Sequence, residues 1–194
     1  LVVALQNSVL SKVMFDSFAI PMSWLSKAGS SASYNKETSC VEFTMVNDTR
    51  IRVSKRLFCK ILGIPISGPY DEVSSSQVVF MFNEMGHQPP LTRISNFKKS
   101  GLPTVWNFLF GIFLRCLTGR TMGLDKGRME VYAMVAGLYY DLQVDYSEQL
   151  WIKFVTSISK TSAKQGISCA RYWSLIIQYV YHKEKIEVPE FEEK

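Results

Sequence analysis

The residues with the clearest capacity for chemistry form a basic block between Arg93 and Arg128. This block contains seven basic residues and a single acid, Asp125. Because lysine and arginine side chains bind phosphate oxygens, such a concentration predicts contacts to a polyanion such as nucleic acid. The candidate nucleic-acid-binding residues are Lys98, Lys99, Arg115, Arg120, Lys126 and Arg128.

The net charge of the whole chain supports this reading only in part. The 194 residues carry a formal net charge of +5. A charge of this size favours solubility and weak attraction to polyanions. Dedicated nucleic-acid-binding domains usually show a steeper bias or a recognisable motif, and the sequence contains no such motif. A solvated basic surface without a ligand is therefore the alternative.

Metal, cofactor and nucleophile chemistry finds little support in the sequence. His87 lies in a Gly-His-Gln-Pro-Pro turn and His182 near the end of a helical pattern, so both are expected at the surface. A zinc site needs several cysteine or histidine ligands at workable spacing, and no such spacing occurs, so we predict no metal and no cofactor. The free thiols predict a reducing compartment, nuclear or cytoplasmic. The cysteines are Cys40, Cys59, Cys116 and Cys169.

Two further groups of residues have a structural explanation that competes with a functional one. Residues 119–128 are rich in glycine and base, as a phosphate cradle would be, but they lack the Walker spacing and fit an interhelical turn. Asp141, Asp145 and Glu148 are close in the sequence. Catalytic or metal chemistry would need a further, distant acid, whereas helix capping already explains Asp145 and Glu148.

These side chains need a scaffold, and the apolar periodicity predicts a mainly α-helical domain resembling a helix bundle. A small antiparallel β-hairpin is predicted near residues 40–53, which makes the fold α+β by count. In that segment apolar residues alternate with polar ones around the turn Asn47-Asp48-Thr49. Helices are predicted at residues 55–62, 77–85, 102–117, 126–141, 145–159 and 168–182.

The chain divides into three parts by composition. Residues 1–36 are predicted to be an N-terminal helix (residues 1–16) followed by a polar linker (residues 26–36). Residues 37–185 form the helical domain with its hairpin, and residues 186–194 form an acidic tail. The longest apolar run, near residues 105–114, is too short to cross a bilayer, so no membrane partner is expected. No small-molecule substrate is evident.

Several stretches resemble a known family. They are Leu57-Phe-Cys-Lys-Ile-Leu-Gly-Ile-Pro65, Arg115-Cys-Leu-Thr-Gly-Arg-Thr, and Val131-Tyr-Ala-Met-Val-Ala-Gly137. Together with the segment Ala170–Tyr181, they resemble the plant transposon protein domain, an uncharacterised family associated with plant retroelements. The resemblance covers about residues 40–182. It implies a plant origin linked to a mobile element, and it carries over no catalytic residues.

The leading hypothesis is a non-enzymatic, retroelement-derived module that binds nucleic acid or a protein partner. One alternative is a degenerate nucleic-acid-processing enzyme, which would need a pocket that joins Asp141, Asp145 and Glu148 to another acid. A second alternative is a structural self-association domain, for which an exposed apolar patch would be the indication.

Overall fold

The computed structural model describes residues 6–16, 18–66, 68–118, 123, 125–159 and 169–184. The prediction of a mainly α-helical fold with a small antiparallel sheet is confirmed. In these ranges no helix is both long enough and apolar enough to span a bilayer. The helices are α1 Ser11–Phe15, α2 Met22–Ser31, α3 Lys55–Leu62, α4 Ser75–Glu84, α5 Thr104–Thr118, α6 Met129–Tyr140, α7 Tyr146–Ser159 and α8 Ala170–Glu184. The strands are β1 Ser33–Asn35, β2 Cys40–Thr44 and β3 Arg50–Ser54.

The sheet contains the predicted hairpin and one more strand. Strands β2 and β3 pair antiparallel with Val41 opposite Val53, and β1 adds to the other edge of β2. Asp48 lies in the hairpin turn at φ 61°, a left-handed conformation that aspartate adopts more readily than most residues. Phe43 contacts Trp173 of α8 with ring centroids 5.1 Å apart, so the sheet is seated on the C-terminal helices.

Local signals in the sequence define α3, as predicted. The Ser54 hydroxyl accepts a hydrogen bond from the Leu57 N–H at 3.2 Å, which caps the first turn. Gly63 ends the helix in the left-handed region at φ 71°, and the Ile64 N–H returns to the Cys59 carbonyl at 2.9 Å. The bounds of this helix agree with the prediction because each of these signals lies next to the turn that it controls.

The predicted helices corresponding to α4 to α8 are also present, with ends that differ by a few residues at most. At the start of α7, the Asp145 Oδ1 accepts a hydrogen bond from the Glu148 N–H at 3.0 Å. The Glu148 side chain does not complete a capping box, because it forms an ion pair with Lys55 of α3 instead. Helix α7 is therefore tied to α3 as well as capped.

The prediction of a polar linker at residues 26–36 is wrong, because this segment contains the second half of α2 and strand β1. Trp24 and Ala28 are buried, and the Ser31 hydroxyl accepts a hydrogen bond from the Thr44 N–H of β2 at 2.9 Å. These tertiary contacts override the weak helix propensity of the serines. Of the helix predicted at residues 1–16, the described part contains α1, and residues 1–5 lie outside it. The acidic tail predicted at 186–194 also lies outside it.

The core is a single cluster of buried side chains that extends from α1 to α8. Within it, two groups of aromatic rings are in contact. The sheet-side cluster joins β2 to α3, α7 and α8, and the loop-side cluster joins α4, α5 and α6 to the segment between α4 and α5. The sheet-side cluster comprises Phe43, Phe58, Trp151, Phe154, Tyr172 and Trp173, and the loop-side cluster comprises Phe82, Phe97, Phe110 and Tyr132.

Candidate nucleic-acid interface

The segment between α4 and α5 carries Lys98 and Lys99. Its regular structure consists of two short 3-10 turns, Ile94–Asn96 and Lys99–Gly101. Phe97 lies between these turns and is fully buried in the loop-side cluster, with its ring centroid 4.1 Å from that of Phe82. An aromatic side chain of this size contributes a large apolar area, so it fixes the segment on the helices beneath it.

His87 also holds this segment, and the prediction that it lies at the surface is wrong. Its side chain is buried, with Nδ1 2.8 Å from the Pro89 carbonyl oxygen and Nε2 2.9 Å from the Lys98 carbonyl oxygen. The Gln88 N–H donates to the Gly101 carbonyl at 2.7 Å. A Cβ on Gly101 would lie 2.4 Å from the His87 Nε2, so only glycine allows this approach. His87 therefore positions the backbone of Lys98.

Asp125, the one acid of the basic block, fixes the other side of the segment. Its backbone carbonyl accepts a hydrogen bond from the Lys99 N–H at 2.7 Å, and its Oδ1 accepts one from the Ser100 N–H at 3.2 Å. The Lys126 Nζ donates to the Ser95 carbonyl at 3.4 Å. These contacts bring residues 95–100 and 125–126 together, although about 25 residues separate them in the chain.

Lys99 is directed along α5. Its Nζ donates to the Asn107 Oδ1 at 3.0 Å, and the Asn107 Nδ2 donates back to the Lys99 carbonyl at 3.0 Å. The ammonium also lies 3.5 Å from where a Cβ on Gly111 would be. Arg115 follows Gly111 by four residues, so it lies on the same face of α5 about 6 Å further along the axis.

Hydrogen bonds thus bring the segments of Lys98, Lys99 and Lys126 together, while Arg115 shares the Lys99 face of α5 and Arg128 follows Lys126 by two residues in the chain. Lys98, Lys126 and Arg128 are exposed and Lys99 is half-buried, while Arg115 is exposed on the α5 face that Lys99 approaches. Arg120 lies outside the described residues. Among the described carboxylates, none is within 4.0 Å of these side-chain cations, because the described ion pairs are Lys27–Asp48, Arg52–Glu42 and Lys55–Glu148. We call the set Lys98, Lys99, Arg115, Lys126 and Arg128 the cationic surface.

An exposed aromatic side chain adjoins the cationic surface. Phe108 of α5 is 65% exposed. Phe108, Ile112 and Arg115 follow each other at i, i+4 and i+7, so they line one face of the helix. An aromatic ring beside cations can stack on a nucleic-acid base.

The acids considered for catalysis have other roles. Asp145 caps α7, Glu148 pairs with Lys55, and Asp141 ends α6 in the left-handed region at φ 54°. Burial raises the pKa of the Cys116 thiol, against the opposing effect of Arg171 and Arg115. The described part of the chain holds no group of three or more histidine, cysteine, aspartate or glutamate side chains arranged for a metal. Half of the predicted phosphate cradle, residues 119–122 and 124, lies outside it.

No family model, curated protein or solved structure matches this chain. The fold therefore defines the class of protein: a mainly α-helical domain with a small antiparallel sheet. Any function has to be argued from the side chains themselves, and the cationic surface with Phe108 is the arrangement whose chemistry is most specific.

Proposed function

We propose that this protein is a non-enzymatic module that binds single-stranded nucleic acid through the cationic surface. The observation that carries the proposal is a set of cations with no described carboxylate within 4.0 Å, beside a 65% exposed Phe108. Cations without a nearby carboxylate are available to phosphates, and each phosphate contact releases counterions from the nucleic acid.

The Lys99 side chain and the backbone of Lys98 are positioned before a ligand arrives. The Lys99 backbone is held by Asp125, its ammonium by Asn107, and the Lys98 carbonyl by His87. Ordering a flexible lysine on binding costs conformational entropy, so a side chain that is already held loses less. This arrangement favours a binding role for the segment over that of an ordinary solvated loop.

Phe108 supports a single strand as the ligand. In a duplex the base faces are stacked on one another, whereas a single strand can offer a base to an aromatic ring. Such stacking is worth about 1–3 kcal/mol per base and is tolerant of sequence. We therefore expect a preference for single strands with little sequence specificity.

The retroelement origin implied by the resemblance over residues 40–182 remains a prediction, and a nucleic-acid ligand is consistent with it. The rival hypothesis of an enzyme remnant needs Asp145 and Glu148 for chemistry. Asp145 instead caps α7 and Glu148 pairs with Lys55, which supports the proposal of a non-enzymatic module. A nuclear or cytoplasmic location likewise remains a prediction.

The test is the binding of labelled oligothymidylate and of a duplex, measured by fluorescence anisotropy across a range of salt concentrations. Reversing two charges in Lys98→Glu/Lys99→Glu is expected to lower the affinity for oligothymidylate at least about tenfold at low salt. The control Arg56→Glu/Lys60→Glu makes the same change in net charge at exposed positions of α3. Equal losses in both variants, or no binding by the native protein at low salt, would contradict the proposal.

A second pair of variants tests the stacking role. Phe108→Ala is expected to weaken oligothymidylate binding by about 1–3 kcal/mol while leaving duplex binding unchanged. Phe80→Ala is the matched control, because Phe80 is 59% exposed on α4. If Phe108→Ala binds oligothymidylate as tightly as Phe80→Ala does, the single-strand assignment is wrong.

Self-association is the second candidate function. It is favoured by the exposure of Val105 (67%) next to Phe108 on α5, since exposed apolar patches often mark protein interfaces. Sedimentation velocity at increasing protein concentration distinguishes this candidate. A dimer that is lost in Val105→Ser/Phe108→Ser would support it, and a monomer at all concentrations would exclude it.

A further inference from the structure

A large apolar cavity lies on the side of α5 that faces α6. Its volume is about 910 Å³, which is in the range of pockets for drug-sized ligands. Aromatic and aliphatic side chains from both helices form its walls, and exposed residues such as Tyr139 and Asp141 lie at its edge. The principal wall residues are Trp106, Leu109, Phe110, Phe113, Val135 and Leu138.

The charges around this cavity are unlike those of the cationic surface. Asp141 is the one charged side chain among the described lining residues, which include no lysine, arginine or histidine. A phosphate or carboxylate ligand would therefore enter without a counter-charge. A protonated amine would find one at Asp141, together with the partial negative charge at the C-terminal end of α6.

We propose that this cavity binds a small apolar molecule that carries one protonated amine, with the apolar part between α5 and α6 and the amine at Asp141. The inference is independent of nucleic-acid binding, because none of the residues of the cationic surface lines the cavity.

The backbone at Asp141 is held in place by hydrogen bonds. The Asp141 N–H donates to the Gly137 carbonyl, and the Leu142 N–H reaches the same carbonyl at 2.8 Å. The Gln143 N–H donates to the Asp71 Oδ2 at 2.8 Å, and the Asp71 N–H donates back to the Gln143 carbonyl at 2.7 Å. This segment therefore presents its acid from a fixed position at the edge of the cavity.

Two aromatic side chains strengthen the preference for a cation. Trp106 and Tyr139 both line the cavity and contact each other edge to face, with ring centroids 6.1 Å apart. The faces of such rings attract ammonium groups. Tyr146 also lines the cavity. Burial raises the pKa of its hydroxyl, and the negative charge of Asp141 raises that pKa further, so the charge of Asp141 acts on this part of the wall. Acid and rings together select an amine over a neutral analogue.

The test uses three probes that share a naphthyl ring and differ in the charge of one small substituent: naphthylmethylammonium, naphthylmethanol and naphthoate. Binding to the full chain is measured by isothermal titration calorimetry. The cation is expected to bind about three- to tenfold more tightly than the neutral alcohol, and the naphthoate anion most weakly. Tighter binding of naphthoate than of the cation, or no binding of any probe, would overturn the proposal.

Asp141→Asn locates the charge effect. Asparagine tolerates the left-handed backbone at φ 54°, so the fold is expected to be retained. The preference for the cation over the alcohol should fall, because only the rings and the helix end remain to favour it, while the affinity for the alcohol stays the same. Asp48→Asn is the matched control, since Asp48 is also exposed and has φ 61°. An unchanged preference in Asp141→Asn would overturn the role of this acid.

Filling the cavity tests the location of the apolar part. Leu109→Trp places a larger side chain in the wall and is expected to weaken binding of the cation and the alcohol alike. Near-ultraviolet circular dichroism shows whether this variant is folded. A folded Leu109→Trp that binds both probes as the native protein does would overturn the site, and if the variant does not fold, the Asp141→Asn comparison decides.

Discussion

The sheet-side cluster and the loop-side cluster are similar groups of aromatic rings, but the charged side chains around them are arranged differently. Around the sheet, Arg52 pairs with Glu42 and Lys55 with Glu148. Around the segment between α4 and α5, Lys98 and Lys126 have no described carboxylate within 4.0 Å. The first region uses its ion pairs to join elements of the fold. The second uses aromatic packing, His87 and Asp125 for that purpose, so its cations are not part of the described ion pairs that hold the fold.

The largest expected effect tests whether the two clusters contribute alike to stability. Phe58→Ala and Phe97→Ala should each lower the free energy of unfolding by about 3–5 kcal/mol, because each removes a fully buried ring from close packing. Urea unfolding monitored by circular dichroism measures both. If Phe97→Ala lowers the free energy of unfolding by less than about 1 kcal/mol, this residue does not fix the segment and the two clusters do not contribute alike to stability.

Gly101→Ala should have the next largest effect, about 1–3 kcal/mol, because its Cβ would lie 2.4 Å from His87 Nε2 and 2.7 Å from the Gln88 carbonyl oxygen. Gly111→Ala is the control, since the nearest atom to its Cβ is Lys99 Nζ at 3.5 Å. That change should stabilise α5 by up to about 1 kcal/mol. Thermal unfolding of the two variants checks the prediction, and equal melting temperatures would contradict it.

A smaller effect is expected at alkaline pH from Lys55. Burial acts to lower its pKa, but the hydrogen bond and charge of Glu148 outweigh burial and raise it above 10.5. From neutral pH up to pH 10.5 the pair therefore stabilises the fold fully, and it loses its contribution as the pH rises through the raised pKa. Because both side chains are partly exposed, the contribution should be below about 1 kcal/mol.

The measurement for Lys55 is the free energy of unfolding of native protein and Lys55→Met from neutral to alkaline pH. The difference between them should be constant below pH 10.5 and shrink above it. A difference that grows with alkaline pH would contradict the assignment.

The smallest effect is expected from Asp125→Asn, on binding. Asparagine keeps an oxygen that can accept the Ser100 N–H but removes the negative charge beside the lysines. Affinity for oligothymidylate should rise about two- to threefold at low salt and return to the native value at high salt, since salt screens the effect. Asp48→Asn, on the sheet side, should leave the affinity unchanged. A fall in affinity on Asp125→Asn would mean that the carboxylate does more than hold the segment.

Local signals explain which elements could be predicted from the sequence. The cap at Ser54 and the stop at Gly63 lie next to the helix that they bound, so α3 was predicted correctly. Helix α2 was not predicted, because its serines favour a turn and its stability comes from buried Trp24 and Ala28. Those contacts involve residues distant in the chain, which periodicity alone does not reveal.

In the candidate site, too, the sequence predicted some residues and not the contacts that hold them. Charge alone identified Lys98, Lys99 and Lys126 in the sequence, but it could not show what brings them together. His87 has turn-forming neighbours, yet its partner Lys98 is eleven residues further on, so its burial depends on the tertiary fold. Asp125 is visible in the sequence as the single acid of the block. Its contact with Ser100 joins residues 25 positions apart, so its part in holding the segment also depends on the tertiary fold.

The comparison of the two regions is tested most directly by the salt dependence of oligothymidylate binding in Lys99→Met and Lys27→Met. Both remove one lysine, from the cationic surface in the first case and from the sheet-side pair with Asp48 in the second. Lys99→Met should reduce the slope of log affinity against log salt by about 0.7, the value for one phosphate contact on a single strand. Lys27→Met should leave the slope unchanged. Equal slopes for Lys99→Met and the native protein would contradict the central claim.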